Sequence, residues 1–231
     1  MNSLPDGYHA LVVGDTGALG QAFLGILQSD PRCALAKGIS RSGMPSLVLE
    51  DLHSVQACAD RMVNDAPFHL IIDATGALII DDMGPEKRLD DIDAQHLQRA
   101  MQINAIGPAM LLKYFSPLLA TRERAIWAKL SARVGSIEDN RKGGWYGYRA
   151  SKAALNMFLQ TAAIEIARRR PQTVIAALQP GTVRSRLSQP FVGDAGMDPE
   201  IAARKLLQVI DGLQPLGRAH FVDHEGEVIP W

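Results

Sequence analysis

The chain has 231 residues, 47% of them apolar and 21% charged, with a net charge of -1; that is enough apolar material for one core and excludes wholesale disorder. So small a charge excludes electrostatic capture of nucleic acid or of an anionic membrane, and the single basic run, Arg168-Arg169-Arg170 before Pro171, suits a helix C-terminus instead. Cys33 and Cys58 are too few for a disulfide framework and lack metal-ligand spacing, no apolar run reaches membrane-spanning length, and residues 1–7 carry no leader pattern, so one cytoplasmic domain over residues 1–231 without a metal is expected.

The first apolar run, 10–13, is predicted to be a buried strand, and directly after it comes Gly14-Asp15-Thr16-Gly17-Ala18-Leu19-Gly20, opening a helical pattern over 19–28. Glycine lets a backbone turn sharply and approach a pyrophosphate, while a helix N-terminus offers free N–H groups and a positive dipole end. Placed between strand and helix, this turn points to nucleotide binding, with Gly14, Thr16, Ala18, Leu19 and Gly20 as contacts. A second strand, 34–39, runs into Ser40-Arg41-Ser42. Dinucleotide-binding sheets that take NAD carry an acidic residue there for the ribose 2′-hydroxyl; Arg41 suits a 2′-phosphate and tips the expectation to NADP over NAD. Asp51 and Leu52 either contact the adenine, or Asp51 or Ser54 caps the helix predicted over 54–64.

A third strand is predicted at 70–73, a long helix at 94–115, a fourth strand at 126–130 and a fifth at 174–178; a last helix, 199–212, has Pro199 in its first turn. This alternation predicts a single α/β domain of Rossmann type, a doubly wound parallel sheet with helices on both faces and ligands at the carboxyl ends of the strands. On the helix predicted over 148–170, Tyr148 and Lys152 stand four residues apart and share a face. A lysine charge beside a phenol favours the phenolate, so the pair reads as a proton donor whose tyrosine pKa is lowered. The stretch 182–198, rich in Pro and Gly, reads as a substrate loop, and Trp145, Tyr146, Leu187, Pro190 and Phe191 suggest an apolar mouth in which Arg184 and Arg186 are solvated.

Taken in order, the glycine turn, Asp73-Ala74-Thr75-Gly76, Asn104 in Ile103-Asn104-Ala105-Ile106-Gly107-Pro108, Tyr148 with Lys152, and Pro180-Gly181 resemble the short-chain dehydrogenase/reductase family over essentially the whole chain. The strings Ser131-Ala132-Arg133-Val134-Gly135-Ser136-Ile137, Gly143-Gly144-Trp145 and Phe221 to Trp231 are similar to its C-factor-like and sniffer-type carbonyl reductase branch. The resemblance implies an NADP(H)-dependent enzyme moving hydride between nicotinamide and a carbonyl or alcohol carbon while Tyr148 exchanges the proton. It further implies that Lys152 holds the nicotinamide ribose, that Asn104 holds a relay water, that Ala74 and Gly76 line the cofactor, that Pro180, Gly181 and Val183 line the nicotinamide, and that Ser185 contacts phosphate. The family serine that holds the substrate oxygen falls on Ala132, which cannot donate; Ser131 is the expected substitute, Ser136 the other candidate. Asp73 or Thr75 must supply the strand-end bonds usually made by asparagine. A homodimer or homotetramer through the two long helices is implied, and a nucleotide-binding signalling protein with residual catalysis is the alternative function.

Overall fold

In a computed structural model, which describes residues 1–185, 188–193 and 195–231, six strands form one sheet. They are β1 (Tyr8–Val13), β2 (Cys33–Ile39), β3 (Leu70–Asp73), β4 (Ala125–Leu130), β5 (Thr173–Gln179) and β6 (His220–Asp223). All neighbours are parallel, in the order β2-β1-β3-β4-β5-β6. Helices α1 (Ala18–Gln28), α2 (Leu52–Met62), α3 (Ala94–Met101), α4 (Gly107–Phe115), α5 (Tyr146–Ala167), α6 (Gln189–Val192) and α7 (Pro199–Gly212) complete the elements that concern the site.

Alternate side chains of each strand feed two cores, as the two-residue period requires. Leu11, Val13, Ile71, Trp127 and Ile175 pack on one face with Val55 and Met62 of α2, Leu111 and Phe115 of α4, and Leu155 and Leu159 of α5. Ala10, Val12, Leu70, Ile72, Ile126 and Val174 pack on the other with Phe23 of α1 and Leu206 and Ile210 of α7. The doubly wound architecture expected from the alternation is the one observed. The strand order reverses between β1 and β3, so their carboxyl ends open the crevice where such sheets take ligands.

Several boundaries differ from expectation for local reasons. α2 starts at Leu52 because the Asp51 carboxylate accepts the N–H of His53 at 2.9 Å and caps it. The helix predicted over 94–115 contains a π-helical segment, Gln102–Ile106, between α3 and α4. Pro108 has no N–H for the carbonyl of Asn104 and its ring would press on it in a straight α-helix, and the widened turn accommodates this. The helix predicted over 148–170 instead runs Tyr146–Ala167. β6 and α6 were not foreseen, each being only four residues long.

Candidate active site

The crevice holds a cavity of about 680 Å³. Its floor is the turn after β1. The N–H of Gly14 donates to the Ile39 carbonyl at 2.7 Å, and Gly14 takes a φ of +85°, a conformation that favours glycine. A methyl group on Gly20 would collide with the Gly14 carbonyl, so glycine there lets α1 start directly against the turn. α1 begins at an N-cap, Gly17, that offers no side-chain cap, and Thr16, Ala18, Leu19 and Gly20 line the cavity. Uncapped first-turn N–H groups beside an open space are the makings of an anion site.

The back wall is the turn after β3. The Asp73 carboxylate accepts the N–H and hydroxyl of Thr75 at 2.9 and 2.6 Å, and Lys129 of β4 donates to the same oxygen at 3.0 Å. Asp73 and Thr75 therefore do supply the strand-end bonds, with a buried ammonium added that spacing did not reveal. Ala74, Thr75 and Gly76 line the cavity. Asn104 is fully buried, and its side chain accepts the N–H of Ala77 at 2.9 Å and donates to the Ala77 carbonyl at 2.8 Å. That side chain is thus spent on holding the turn.

The reactive pair stands on α5. Trp145, at φ +56°, turns the chain into the helix, and its ring meets Tyr148 edge-on with centroids 6.1 Å apart. The Glu86 carboxylate accepts the N–H of Gly147 at 3.0 Å, and its main-chain carbonyl accepts that of Trp145 at 2.5 Å. A carboxylate at a helix N-terminus satisfies an orphan donor and suits the dipole. Tyr148 and Lys152 both line the cavity, with the ammonium 5.6 Å from the centre of the phenol ring. Burial pushes the Tyr148 hydroxyl up to about 12, contrary to the lowering expected from its lysine neighbour. Lys152 is itself brought down to about 7, by burial first and the charge of Lys129 second, against an opposing pull from Asp73, which weakens the positive charge that would favour phenolate.

Ser131 lines the cavity, but its hydroxyl donates to Asn156 Oδ1 at 2.7 Å, so its single proton is already engaged. Ser136 is buried, donates to the Trp231 carbonyl at 3.4 Å and accepts the N–H of Asp139 at 3.0 Å. Ala132 and Arg133 also face the cavity, the guanidinium pairing with Asp223 at 3.1 Å and Asp139 at 3.6 Å. Pro180, Gly181, Val183 and Ser185 form the opposite wall. The loop is tied at its base, where Arg184 N–H donates to the Met197 carbonyl at 2.9 Å and Met197 N–H to the Thr182 carbonyl at 2.8 Å. Arg184 is not merely solvated, since it pairs with Asp198 at 2.8 Å. Arg186, Leu187 and the Phe191 side chain lie outside the described residues.

Gly14, Arg41, Asp51, Leu52 and Asn104 do not border the cavity. Gly14 and Asn104 support the turns that do. Arg41 sits past the end of β2, exposed, with both Glu50 carboxylate oxygens at 3.2 Å. Asp51 is engaged as the cap of α2 and Leu52 is half exposed. Lys129 and Glu86 went unnoticed in the sequence, although a lysine inside the apolar run 126–130 is itself a signal, because a charge in a buried strand must be paired.

A family model described as short chain dehydrogenase matches residues 47–195. Among curated relatives, C-signal of Myxococcus xanthus is 35% identical over 144 residues, covering 62% of this chain and 83% of that protein. A 1-hydroxy-2-glutathionyl-2-methyl-3-butene dehydrogenase of Rhodococcus sp. (strain AD45) is 31% identical over 193 residues, covering 81% and 79%. Among solved structures, the NADPH-bound carbonyl reductase from chicken fatty liver superposes with a TM-score of 0.83 at 20% identity over 98% of this chain and 95% of that one, a likeness of fold.

Proposed function

The chain belongs to the short-chain dehydrogenase family, an NAD(P)-dependent oxidoreductase by that membership, and from this premise we propose that it is an NADP(H)-dependent carbonyl reductase or alcohol dehydrogenase with Tyr148 as the proton-exchanging residue. The observation that carries the reading is the convergence, on one cavity of about 680 Å³, of the uncapped α1 turn, the Ala74–Gly76 turn and the Tyr148–Lys152 pair. A nucleotide suits this cradle, since the first-turn peptides of α1, which carry no side-chain cap, border the opening. Bound there, the nicotinamide supplies hydride at its C4.

The chain's own residues do the rest. Thr16, Ala18, Leu19 and Gly20 hold the pyrophosphate with peptide N–H groups. Lys152 holds the nicotinamide ribose, and the approach of that ribose and of a substrate oxygen brings polar groups to the buried phenol of Tyr148. Pro180, Gly181 and Val183 wall the ring, and Ser185 reaches a phosphate. Ser131 serves the substrate oxygen only by exchanging its bond to Asn156. Arg41, exposed beyond β2, is assigned to the 2′-phosphate, with Glu50 as the partner it gives up. Trp145 and Leu78 make the mouth apolar, consistent with a neutral carbonyl compound. The exposed side chains of Met157, Phe158 and Ile164 on α5 suit pairing of copies into a dimer or tetramer, and a cytoplasmic location is part of the proposal; no described helix is long and apolar enough to cross a membrane.

A second reading, a nucleotide-binding signalling protein with residual catalysis, is favoured by Ala132 and by the likeness to C-signal. One comparison separates the two. Tyr148→Phe should lower turnover of any active aldehyde or ketone by about 10²–10⁴-fold, the usual worth of a general acid, while the NADPH dissociation constant moves less than about threefold. Retained turnover ends the assignment of Tyr148. Absence of turnover in the wild-type protein across aldehydes, ketones and quinones, with NADPH binding intact, favours the signalling reading.

A further inference from the structure

Lys129 is fully buried in the middle of the sheet, on a strand whose neighbours in sequence, Ala128 and Leu130, are apolar. Its ammonium makes three bonds, all to one turn: Asp73 Oδ1 at 3.0 Å, the Thr75 carbonyl at 2.6 Å and the Thr75 hydroxyl at 3.1 Å. The other Asp73 oxygen is buried with no hydrogen-bond partner among the described residues, so Lys129 is the charged group that pairs with that carboxylate, beside the two bonds from Thr75. The next residue, Gly76, closes against the opposite side: a methyl group there would lie 3.4 Å from Lys152 Nζ and 3.3 Å from Asn104 Oδ1. One short turn of the cavity wall is therefore bonded to Lys129 on one side and lies beside the Lys152 amine on the other, which donates to the Leu130 carbonyl at 3.3 Å.

We propose that Lys129, paired with Asp73, is a positioning residue for the reaction: it pins the Thr75–Gly76 turn against Lys152 and places a second positive charge on the far side of that turn. The inference rests on the reading of Lys152 as the residue that holds the nicotinamide ribose. Its physical content is a balance of charges around one amine. Asp73 on β3 attracts a proton to Lys152 and Lys129 on β4 repels it; on α5 itself the neighbour is Tyr148, and in the turn after β4 it is Arg133, whose guanidinium is already paired with Asp139 and Asp223. At the head of α5 stand Glu86 and His96, 4.0 Å apart. Asn104, Asn156 and Gln179 carry no charge. The two act on Lys152 in opposite directions, Lys129 lowering its proton affinity and Asp73 raising it. The pair thus holds the turn in place and sets two opposing charges beside Lys152, which an uncharged asparagine would not do.

The test reads Lys152 directly and needs no substrate. The neutral amine reacts with formaldehyde and cyanoborohydride, and mass spectrometry of the Lys152 peptide after short pulses from pH 5 to 10 gives its titration midpoint. In Lys129→Met, which removes the repulsion and keeps the attraction, the midpoint should rise by on the order of one pH unit. In Lys129→Met/Asp73→Asn it should rise by less, because the two contributions partly cancel, and this variant keeps the test decisive should the single variant, with its unpaired buried carboxylate, fail to fold. Lys129→Arg should restore the wild-type midpoint. NADPH affinity, measured by calorimetry at pH 6 and 9, should lose part of its pH dependence in step with the midpoint. An unchanged midpoint in both Met variants, with only a lowered melting temperature, would reduce Lys129 to a structural strut and overturn the proposal. A protein that shifts its midpoint as described yet turns over no carbonyl would leave this inference standing and remove the catalytic reading instead.

Discussion

Arg41 and Ser131 show how much a single residue's partners decide. Read as a residue type past the end of β2, Arg41 is a phosphate reader, and it is exposed enough to reach a ligand, but two oxygens of Glu50 already share one of its terminal nitrogens. An exposed pair of this kind is worth little, commonly under about 1 kcal/mol, so a dianionic phosphate displaces it readily. Arg41→Asp should therefore raise the NADPH dissociation constant by about tenfold or more while leaving that of NADH within about threefold, as measured by fluorescence titration; equal effects on both would show that Arg41 does not distinguish them. Ser131 is the converse case. Its place next to Ala132 made it the nearest hydroxyl to the one missing there, and it does reach the cavity, yet its proton is given to Asn156, a partner 25 residues away that no spacing rule indicates.

At the scale of elements, the placement of α5 governs the site, and two contacts from elsewhere in the chain set it. Gly135 lies so close to the helix that a methyl group would stand 2.9 Å from the carbonyl carbon and the Cβ of Lys152. Glu86 caps the other side through Gly147, itself a glycine because a methyl there would meet Glu86 Oε1 at 2.8 Å and Leu97 at 3.0 Å. Glu86→Ala leaves a buried N–H without an acceptor, a cost of about 1–3 kcal/mol, or roughly 2–10 °C in a chain of this size. It should also lower kcat several-fold more than it raises KM, since the cap orients Tyr148 without touching substrate. Glu86→Gln keeps an acceptor oxygen and should recover most of both losses; calorimetric melting beside steady-state kinetics makes the comparison, and equal damage from both substitutions would exclude the capping role. The strands, the glycine turn and the Tyr148–Lys152 pair were legible because they depend on periodicity and on neighbours within a few residues. The cap and the Lys129–Asp73 pair join residues 61 and 56 positions apart, and the π-helical segment answers to a proline whose effect on type, rather than existence, of helix propensity does not specify.

For the molecule as a whole, the buried lysine is a charge the fold tolerates for the sake of the site, and this tolerance has a pH signature. Lys152 is brought down to about 7 in the folded protein, from an ordinary lysine value of 10.5. Between those two values the unfolded chain binds the extra proton and the folded one does not, so the contribution of this group to stability rises with pH across that window; below about 7 both states are protonated and the full penalty is present. Lys129 is also lowered, by burial, and acts in the same direction, whereas Cys33, Cys58 and Tyr148 are raised and erode stability only as pH passes about 9 or 10. The range from pH 7 to 9 is therefore the one in which the lysines dominate. Lys152→Met deletes one of them and keeps the packing of its stem, so the variant should unfold at a higher urea concentration than the wild type at pH 7. Its midpoint should then gain less than the wild type does on going to pH 9, because the group that released a proton on folding is gone. Two urea titrations per protein, with equal slopes confirming that the same surface is exposed, decide the matter. A variant whose midpoint climbs with pH as steeply as the wild type's would mean that Lys152 is fully charged in the folded protein and that the crevice is far wetter than its burial implies.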